Sequence, residues 1–310
     1  MKIIVSGLIN IETTVKVRNF PIPYYPIDYP FFGIASDVSG VAFNLAKAFK
    51  SLGDETQLVS FIGKDEEGSR ILKRLADEDI SLQMLRQELA ETPASVVLYD
   101  EEGKRQIYCD LKDIQEKRLE TENGTFTEAL EKCDMVAACN VNFNRSLLKA
   151  AKKMGKRIAT DVHVLEDTED AFNKEFMENA DILFLSDEKL PCGPEEFLRK
   201  LKERYPAQVV VIGMGAKGAL LYDRSEEKVY CLEAVRCEKV VNTVGAGDAL
   251  FAGFLHFYGK GYRAVEALER AEIFAAEKIM HNGAARGFCT EQEVEEAYQS
   301  RKPKIKERFL

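Results

Sequence analysis

The stretch Gly245-Ala246-Gly247-Asp248 combines residue types that suit phosphoryl transfer. Val240 and Val241 end a strand-like run before it, and apolar residues recur at helical spacing after it, so a helix is expected from about Ala246. Free amides at a helix N-terminus bind phosphate oxygens, and a carboxylate beside them can accept a hydroxyl proton. The alternative is structural, with a tight glycine turn and an aspartate that compensates the helix dipole.

A second polar group lies in the first third of the chain. Asn10 and Glu12 are expected at the end of the first strand, where open α/β sheets bind ligands. Ser39, Gly40 and Asn44 surround the start of the next helix, and Asn44 falls among apolar neighbours. These residues form either a site for a polyol, or a helix cap (Ser39) and a hydrogen-bonded core amide (Asn44).

Residues 213–218 match the spacing of a dinucleotide-binding fingerprint, with glycines at 213, 215 and 218. That fingerprint requires a helix directly afterwards. Residues 218–232 are instead typical of two strands joined by a turn. The match therefore supports a nicotinamide oxidoreductase only weakly. The sequence contains no Walker-type P-loop.

The elements that position these residues are alternating strands and helices. Short apolar runs alternate with amphipathic segments along most of the chain, which is typical of a parallel sheet covered by helices on both faces. Residues 244–280 are typical of two helices. The sequence predicts one doubly wound, mostly parallel α/β domain over residues 1–310.

Two segments interrupt this pattern. Residues 12–38 alternate like a strand before a run of prolines and aromatics, and residues 92–110 are typical of a hairpin with its turn at 100–104. We predict that they form a small β-sheet lid outside the main sheet. Its apolar side, with the aromatic cluster at 24–32, would cover a ligand cleft or contact a second subunit as a homodimer. The C-terminal residues 301–310 are expected to be a solvated basic end.

Composition argues against several functional classes. The chain has 310 residues, 45% of them hydrophobic, and a net charge of −9, which argues against nucleic-acid and membrane-surface partners. No apolar stretch is long enough to span a bilayer. Seven cysteines without a Cys-x-x-Cys pair fit a reducing compartment, and the three widely separated histidines do not suggest a metal site. We predict a cytoplasmic protein.

Together these motifs resemble the ribokinase-like, or PfkB, family of carbohydrate kinases. Residues 242–254 (NTVGAGDALFAGF) are similar to the family's C-terminal signature, and residues 39–53 (SGVAFNLAKAFKSLG) to its N-terminal one. Residues 59–75 are similar to the stretch after the family's second core strand. The resemblance covers nearly the whole chain and implies a sugar kinase that uses ATP and Mg²⁺, with a β-sheet lid over the sugar.

The resemblance also implies roles for individual residues. Asp248 would be the base that activates a substrate hydroxyl, and Gly245, Ala246 and Gly247 would form the anion hole for the γ-phosphate of ATP. The substrate site would comprise Asn10, Glu12, Ser39, Gly40 and Asn44. ATP would bind against Ser186, Gly213, Gly215, Gly218, Thr243, Gly245 and Gly247.

The chain departs from the family pattern at several positions. Glu12 replaces the usual aspartate and Ser39 a glycine. Asn242 replaces an aspartate associated in some members with a monovalent cation, which puts activation by such a cation in doubt. Residues 186–189 replace an Asn-x-x-Glu motif, with Ser186 and Lys189 at its ends. Asp187 or Glu188 would then supply the acid for Mg²⁺.

Two further functions stay open beside the sugar kinase and the oxidoreductase. One is a nucleoside kinase of the same family, because the aromatic residues of the lid suit a base. The other is a weakly active or inactive relative that binds nucleotide and sugar as a sensor, because the motif at 186–189 is altered.

Overall fold

A computed structural model describes residues 1–309. The helices are α1 Val41–Ser51, α2 Glu66–Asp77, α3 Gly124–Lys132, α4 Asn144–Lys153, α5 Lys174–Asn179, α6 Pro194–Arg204, α7 Ala246–Gly259, α8 Ala264–Lys278 and α9 Glu291–Arg301. The strands are β1 Lys2–Ser6, β2 Asn10–Lys16, β3 Ile34–Ser39, β4 Glu55–Gly63, β5 Leu85–Leu89, β6 Ala94–Tyr99, β7 Arg105–Asp110, β8 Met135–Ala138, β9 Arg157–Val164, β10 Ile182–Ser186, β11 Val209–Gly213, β12 Ala219–Asp223, β13 Lys228–Leu232 and β14 Ile305–Phe309.

The main sheet has the order β14-β13-β12-β11-β10-β9-β8-β1-β4-β5. Neighbouring strands from β5 through β11 are parallel, and β12, β13 and β14 continue the sheet antiparallel. One face packs against α1, α2, α7, α8 and α9, and the other against α3 to α6. Both faces of the strands are therefore buried, which explains their continuous apolar runs. The predicted doubly wound α/β class is confirmed.

A second sheet lies outside the main one, with the order β3-β2-β6-β7. β6 and β7 form the antiparallel hairpin expected from residues 92–110. The prediction that Asn10 and Glu12 end the first strand is wrong. β1 ends at Ser6, and Asn10 begins β2, so both residues belong to the second sheet. Only residues 7–9 separate β1 from β2, so the sequence pattern does not show that the chain passes from one sheet to the other.

The strand expected before Gly245 is absent, which corrects a second prediction. Val240 and Val241 lie in an irregular segment with 55% and 41% of their surface exposed. The backbone amides of Val241 and Asn242 donate to the carbonyl of Ile279, 2.9 and 3.1 Å away. A tether to the end of α8 thus overrides the β-branched signal. The two helices predicted within residues 244–280 are confirmed as α7 and α8.

The C-terminal segment is also corrected. It was expected to be a solvated end, but β14 pairs antiparallel with β13 at the edge of the main sheet. Glu307 forms an ion pair with Lys228 at 2.7 Å, and Ile305 packs against the core. Charged residues suit an edge strand because they oppose pairing with other chains, so their charge misled the prediction.

Within residues 1–309 no helix combines the length and apolar character needed to cross a membrane. The seven cysteines are all free thiols.

Candidate active site

The glycine motif spans the loop before α7 and the start of that helix, and we call residues 242–247 the glycine loop. Gly245 precedes the first residue of α7 and has φ of 81°. A Cβ there would lie 2.5 Å from the Ala284 carbonyl oxygen, so a larger residue does not fit. Within the described chain, the amides of Gly245, Gly247 and Asp248 donate to no protein acceptor, whereas Ala246 donates to the Thr243 carbonyl at 3.2 Å. Free donors at a helix N-terminus suit an anion, but the Ala246 amide is used in the turn.

Asp248 lies half-buried in the first turn of α7. Its Oδ2 accepts a hydrogen bond of 2.7 Å from Nδ2 of Asn44, on the buried side of α1. Burial raises the pKa of the Asp248 carboxyl, while the Asn44 hydrogen bond, His163 and Lys278 oppose this without cancelling it. A carboxylate with a raised pKa is a better proton acceptor than an ordinary one. Asn44 is thus buried, as expected, and also joined to Asp248.

Glu12, Ser39 and Asn10 come together on adjacent strands of the second sheet. Asn10 is paired in register with Ser39. The Ser39 hydroxyl donates to Oε2 of Glu12 at 3.3 Å, and Nδ2 of Asn10 donates to the Ser95 hydroxyl at 2.9 Å. Burial raises the pKa of Glu12, and the charge of Asp248 adds to the effect. The substrate-site residues predicted from the first third of the chain therefore lie close together.

The expectation that Ser39 might only cap α1 is wrong. The residue before the helix is Gly40, with φ of 101°, and no side chain caps the end. A Cβ on Gly40 would lie 2.5 Å from the Leu8 carbonyl oxygen. Gly40 therefore allows the chain to pass from β3 into α1 at close quarters, and this leaves the Ser39 hydroxyl for Glu12.

Two amide oxygens at this site have no partner. Oδ1 of Asn10 and Oδ1 of Asn44 are buried without a hydrogen-bond donor among the described residues. An unsatisfied buried acceptor costs about 1–3 kcal/mol. A ligand hydroxyl that donates to it removes that cost, so both oxygens point to a hydroxyl-bearing ligand.

The residues proposed for the nucleotide lie at the carboxyl ends of β10 and β11. Ser186 and Gly213 are register partners, and the amide of Asp187 donates to the Gly213 carbonyl at 2.9 Å. Gly215 starts a short 3-10 turn, and Gly218, with φ of 97°, leads into β12. No α-helix follows Gly213, so the dinucleotide interpretation loses its structural basis.

The two acids suggested for Mg²⁺ face cations. Oδ2 of Asp187 lies 3.7 Å from Nζ of Lys217, and Oε1 of Glu188 lies 3.4 Å from Nη2 of Arg105. Within residues 1–309 no three His, Cys, Asp or Glu side chains cluster as a metal site. Both carboxylates are nevertheless oxygen donors of the kind that Mg²⁺ prefers.

Residue-level reasoning missed two cations at this site. Arg105 opens β7 and donates through Nη1 to the Thr243 carbonyl at 3.2 Å. Lys278, at the end of α8, is fully buried and donates through Nζ to the Val244 carbonyl. The available signal for Lys278 was a lysine that follows Ala275 and Ala276 in a segment predicted to be helical. Nothing local in the sequence marked Arg105.

Comparison with known proteins adds independent findings. A model of the pfkB family of carbohydrate kinases matches residues 2–291. The chain is 27% identical over 269 residues to a nucleoside kinase of Methanocaldococcus jannaschii, with 84% of each chain covered. It is 25% identical over 298 residues to the fructosamine kinase FrlD of Bacillus subtilis, covering 94% of this chain and 99% of the relative.

Solved structures share the fold. The microbiome-derived acarbose kinase Mak1 matches with a TM-score of 0.84 and 25% identity, over 95% of this chain and 97% of that one. The ribokinase of Arabidopsis thaliana, solved with ribose and ATP, matches with a TM-score of 0.79 and 21% identity, over 95% and 97% of the two chains.

Proposed function

Because this chain belongs to the pfkB family of carbohydrate kinases, we propose that it transfers the γ-phosphoryl group of ATP to a hydroxyl group of a small, ribose- or fructose-like sugar. The observation that carries the proposal is the position of Asp248. Its carboxylate is held by Asn44 next to the free amides of Gly245 and Gly247. A proton acceptor and anion donors thus lie side by side.

In the proposed reaction, Asp248 accepts the proton of the sugar hydroxyl while the hydroxyl oxygen bonds to the γ-phosphorus. The bond from that phosphorus to the β,γ-bridging oxygen breaks, and ADP leaves with the electron pair. The amides of Gly245 and Gly247 donate to the transferred group, where negative charge is spread over the non-bridging oxygens. Ala246 contributes to this anion hole by shaping its turn.

We infer that the sugar binds against Asn10, Glu12, Ser39, Gly40 and Asn44. The unpartnered oxygens of Asn10 and Asn44 accept hydrogen bonds from sugar hydroxyls. Glu12 accepts another, and its extra methylene relative to aspartate reaches farther into the site. The second sheet then covers the sugar as a lid, formed by residues 12–38 and 92–110 around the single α/β domain.

ATP is proposed to bind along Ser186 and Gly213 at the carboxyl ends of β10 and β11, along Gly215 and Gly218 in the turn that follows, and against Thr243 of the glycine loop. Asp187 and Glu188 would hold Mg²⁺, which neutralises phosphate charge when bound. Asn242 at the start of the glycine loop donates to Asn282 Oδ1 at 3.0 Å and carries no charge for a monovalent cation. We therefore propose a kinase that does not need a monovalent cation. Its free cysteines suit a reducing compartment, which supports the proposal that it is cytoplasmic.

The test is ADP release from Mg-ATP across a panel of ribose, fructose, related sugars, sugar acids and nucleosides. Native chain and Asp248→Asn are compared, with Glu67→Gln as the matched control because it removes a first-turn acid from α2. We expect turnover on one substrate class and a loss of about 10²–10⁴-fold in Asp248→Asn only. Equal turnover in Asp248→Asn would contradict the proposed base.

A nucleoside kinase is the second candidate. The matched relative from Methanocaldococcus jannaschii is a nucleoside kinase, and the exposed rings of Tyr24, Tyr29 and Phe31 could stack on a base. The nucleosides in the panel decide between the two. ATP binding without ADP release on any substrate would favour the sensor, with the altered 186–189 motif as the cause.

A further inference from the structure

Lys278 is a buried cation directly behind the glycine loop. It is the last residue of α8, and 0% of its surface is exposed. Its Nζ donates to the carbonyl oxygen of Val244. That carbonyl belongs to the same peptide group as the amide of Gly245, which has no protein acceptor in the described chain. The ammonium and the free amide are therefore at opposite ends of one peptide dipole.

The rest of the loop is held from the same side. Oδ1 of Asn242 accepts from the Val244 amide at 2.8 Å, while Nδ2 of Asn242 donates to Asn282. The amides of residues 241 and 242 bind the carbonyl of Ile279, next to Lys278. Apart from Arg105, which donates to the Thr243 carbonyl, neutral groups fix the rest of the loop. A neutral donor at the Val244 carbonyl would be enough to hold the loop in this conformation, so the positive charge of Lys278 needs a further explanation.

The charge on Lys278 lacks a contact ion pair. Within residues 1–309 no carboxylate lies within 4.0 Å of its Nζ, unlike Arg270 on the same helix, whose Nε lies 2.6 Å from Oε1 of Glu295. The charged groups that face Lys278 are Asp248 on α7 and Glu12 on β2, which attract it, and Arg105 on β7, which repels it. Burial outweighs them and lowers the pKa of Lys278 to about 8.

A buried, unpaired ammonium is destabilising, so its location calls for an explanation. A hydrogen bond from a charged donor to a carbonyl polarises the peptide and strengthens the donor at its other end. Here the other end is the Gly245 N–H. Lys278 therefore makes that amide a stronger donor and adds positive charge behind the point where phosphoryl charge develops.

We propose that Lys278 is a positioning residue for phosphoryl transfer, which fixes the Val244–Gly245 peptide and strengthens the Gly245 amide as a donor to the transferred group. The inference rests on the proposed kinase activity. In this proposal, the unpaired ammonium of Lys278 is compensated when the phosphate groups of ATP are bound.

Lys278→Met keeps the apolar stem and removes the ammonium. We expect kcat to fall by about 10- to 100-fold, less than for loss of a whole anion-hole donor, with the sugar KM changed little. The native kcat should also decline above pH 8, as Lys278 loses its proton, and Lys278→Met should lack that decline. A neutral amine still donates a hydrogen bond, so this limb reports the charge. In Lys278→Ala, added ammonium should restore part of the rate.

Arg270→Met is the matched control, because it removes a buried cation of α8 that pairs with α9 instead of the glycine loop. It should lower the melting temperature and leave the pH profile of kcat unchanged. The proposal is overturned if Lys278→Met keeps the native kcat and alkaline limb, or changes only the fraction of folded protein as Arg270→Met does.

A binding measurement separates this inference from the kinase proposal. Calorimetry compares Mg-ADP with the Mg complex of the β,γ-imido analogue of ATP. The preference for the analogue should shrink about tenfold or more in Lys278→Met and remain in Arg270→Met. Absence of turnover in the native chain would reject the kinase, while an unchanged preference would reject the role of Lys278.

Discussion

Asn44 is hydrogen-bonded to Asp248 and opposes the upward effect of burial on the pKa of that carboxyl. Its amide donates to Oδ2 of Asp248 at 2.7 Å. Removing the amide therefore raises this pKa further. In Asn44→Leu, the acid limb of kcat/KM should move to higher pH, because Asp248, as the proposed base, can accept the substrate proton only when ionised. The sugar KM should also rise about tenfold as a hydroxyl partner is lost.

The pH dependence of kcat/KM from pH 4.5 to 8 measures this shift. Ser146→Ala is the control, since its hydroxyl donates to the carbonyls of Phe143, just before α4, and Leu119, before α3. An acid limb at the native pH in Asn44→Leu would mean that Asp248 is not the titrating base.

The sequence predicted the residues of this site better than their partners. Asp248 and Asn44 lie in motifs of recognisable spacing, and the structure joins their side chains. Lys278 and Arg105 are adjacent to the same loop only because α8 and β7 pack there. Contacts across 34 and 138 residues depend on tertiary packing, and local spacing carries no trace of them.

At the scale of elements, helix periodicity and apolar runs were sufficient for the parallel sheet and for the start of α7. They failed where the conformation of a segment depends on hydrogen bonds to a distant element. β14 looks solvated because its charges suit a sheet edge, and residues 240 and 241 look like a strand although the end of α8 holds that segment. Propensity is a weak guide at such sites because a distant hydrogen bond overrides it.

Helix α8 also contains a buried acid that should make stability depend on pH. Glu272 is 7% exposed, and no donor or cation among the described residues bonds its carboxylate. Burial raises its pKa to about 8 from 4.5. Between these pH values the folded state retains a proton that the unfolded state releases, so the free energy of unfolding falls as pH rises through this window.

Glu272→Gln cannot ionise and should not show this fall. Relative to the native chain it should gain stability from pH 5 to pH 8, on the order of 3 kcal/mol at the upper end. Urea unfolding at pH 5, 6.5 and 8 measures the difference, with Glu203→Gln on the exposed side of α6 as the control. A constant difference between the two chains across this range would contradict an ionisable, buried Glu272.

At the scale of the whole molecule, the second sheet has an apolar outer face that is exposed. Val96 and Tyr108 are cross-strand partners on this face. Ile34 lies on the same face, because it pairs with Val15, which pairs with Leu98, two residues after Val96. Val96, Tyr108 and Ile34 are 38%, 55% and 60% exposed. On the opposite face, Val97 packs against Val244 and Ala284 of the main sheet's side of the molecule. An apolar outer face that continues into the aromatic residues 24–32 is typical of a protein contact.

We expect this face to join two copies of the chain, as the lid interpretation implies. The double variant Ile34→Ser/Tyr108→Ser should shift the mass in solution from dimer to monomer and raise the sugar KM, because the lid loses its support while Asp248 and the glycine loop are untouched. Light scattering with size-exclusion chromatography measures the mass. Leu82→Ser, which removes an exposed apolar residue outside the second sheet, should remain dimeric. A native chain that is monomeric at micromolar concentration would instead assign this face to another partner or to the bound substrate.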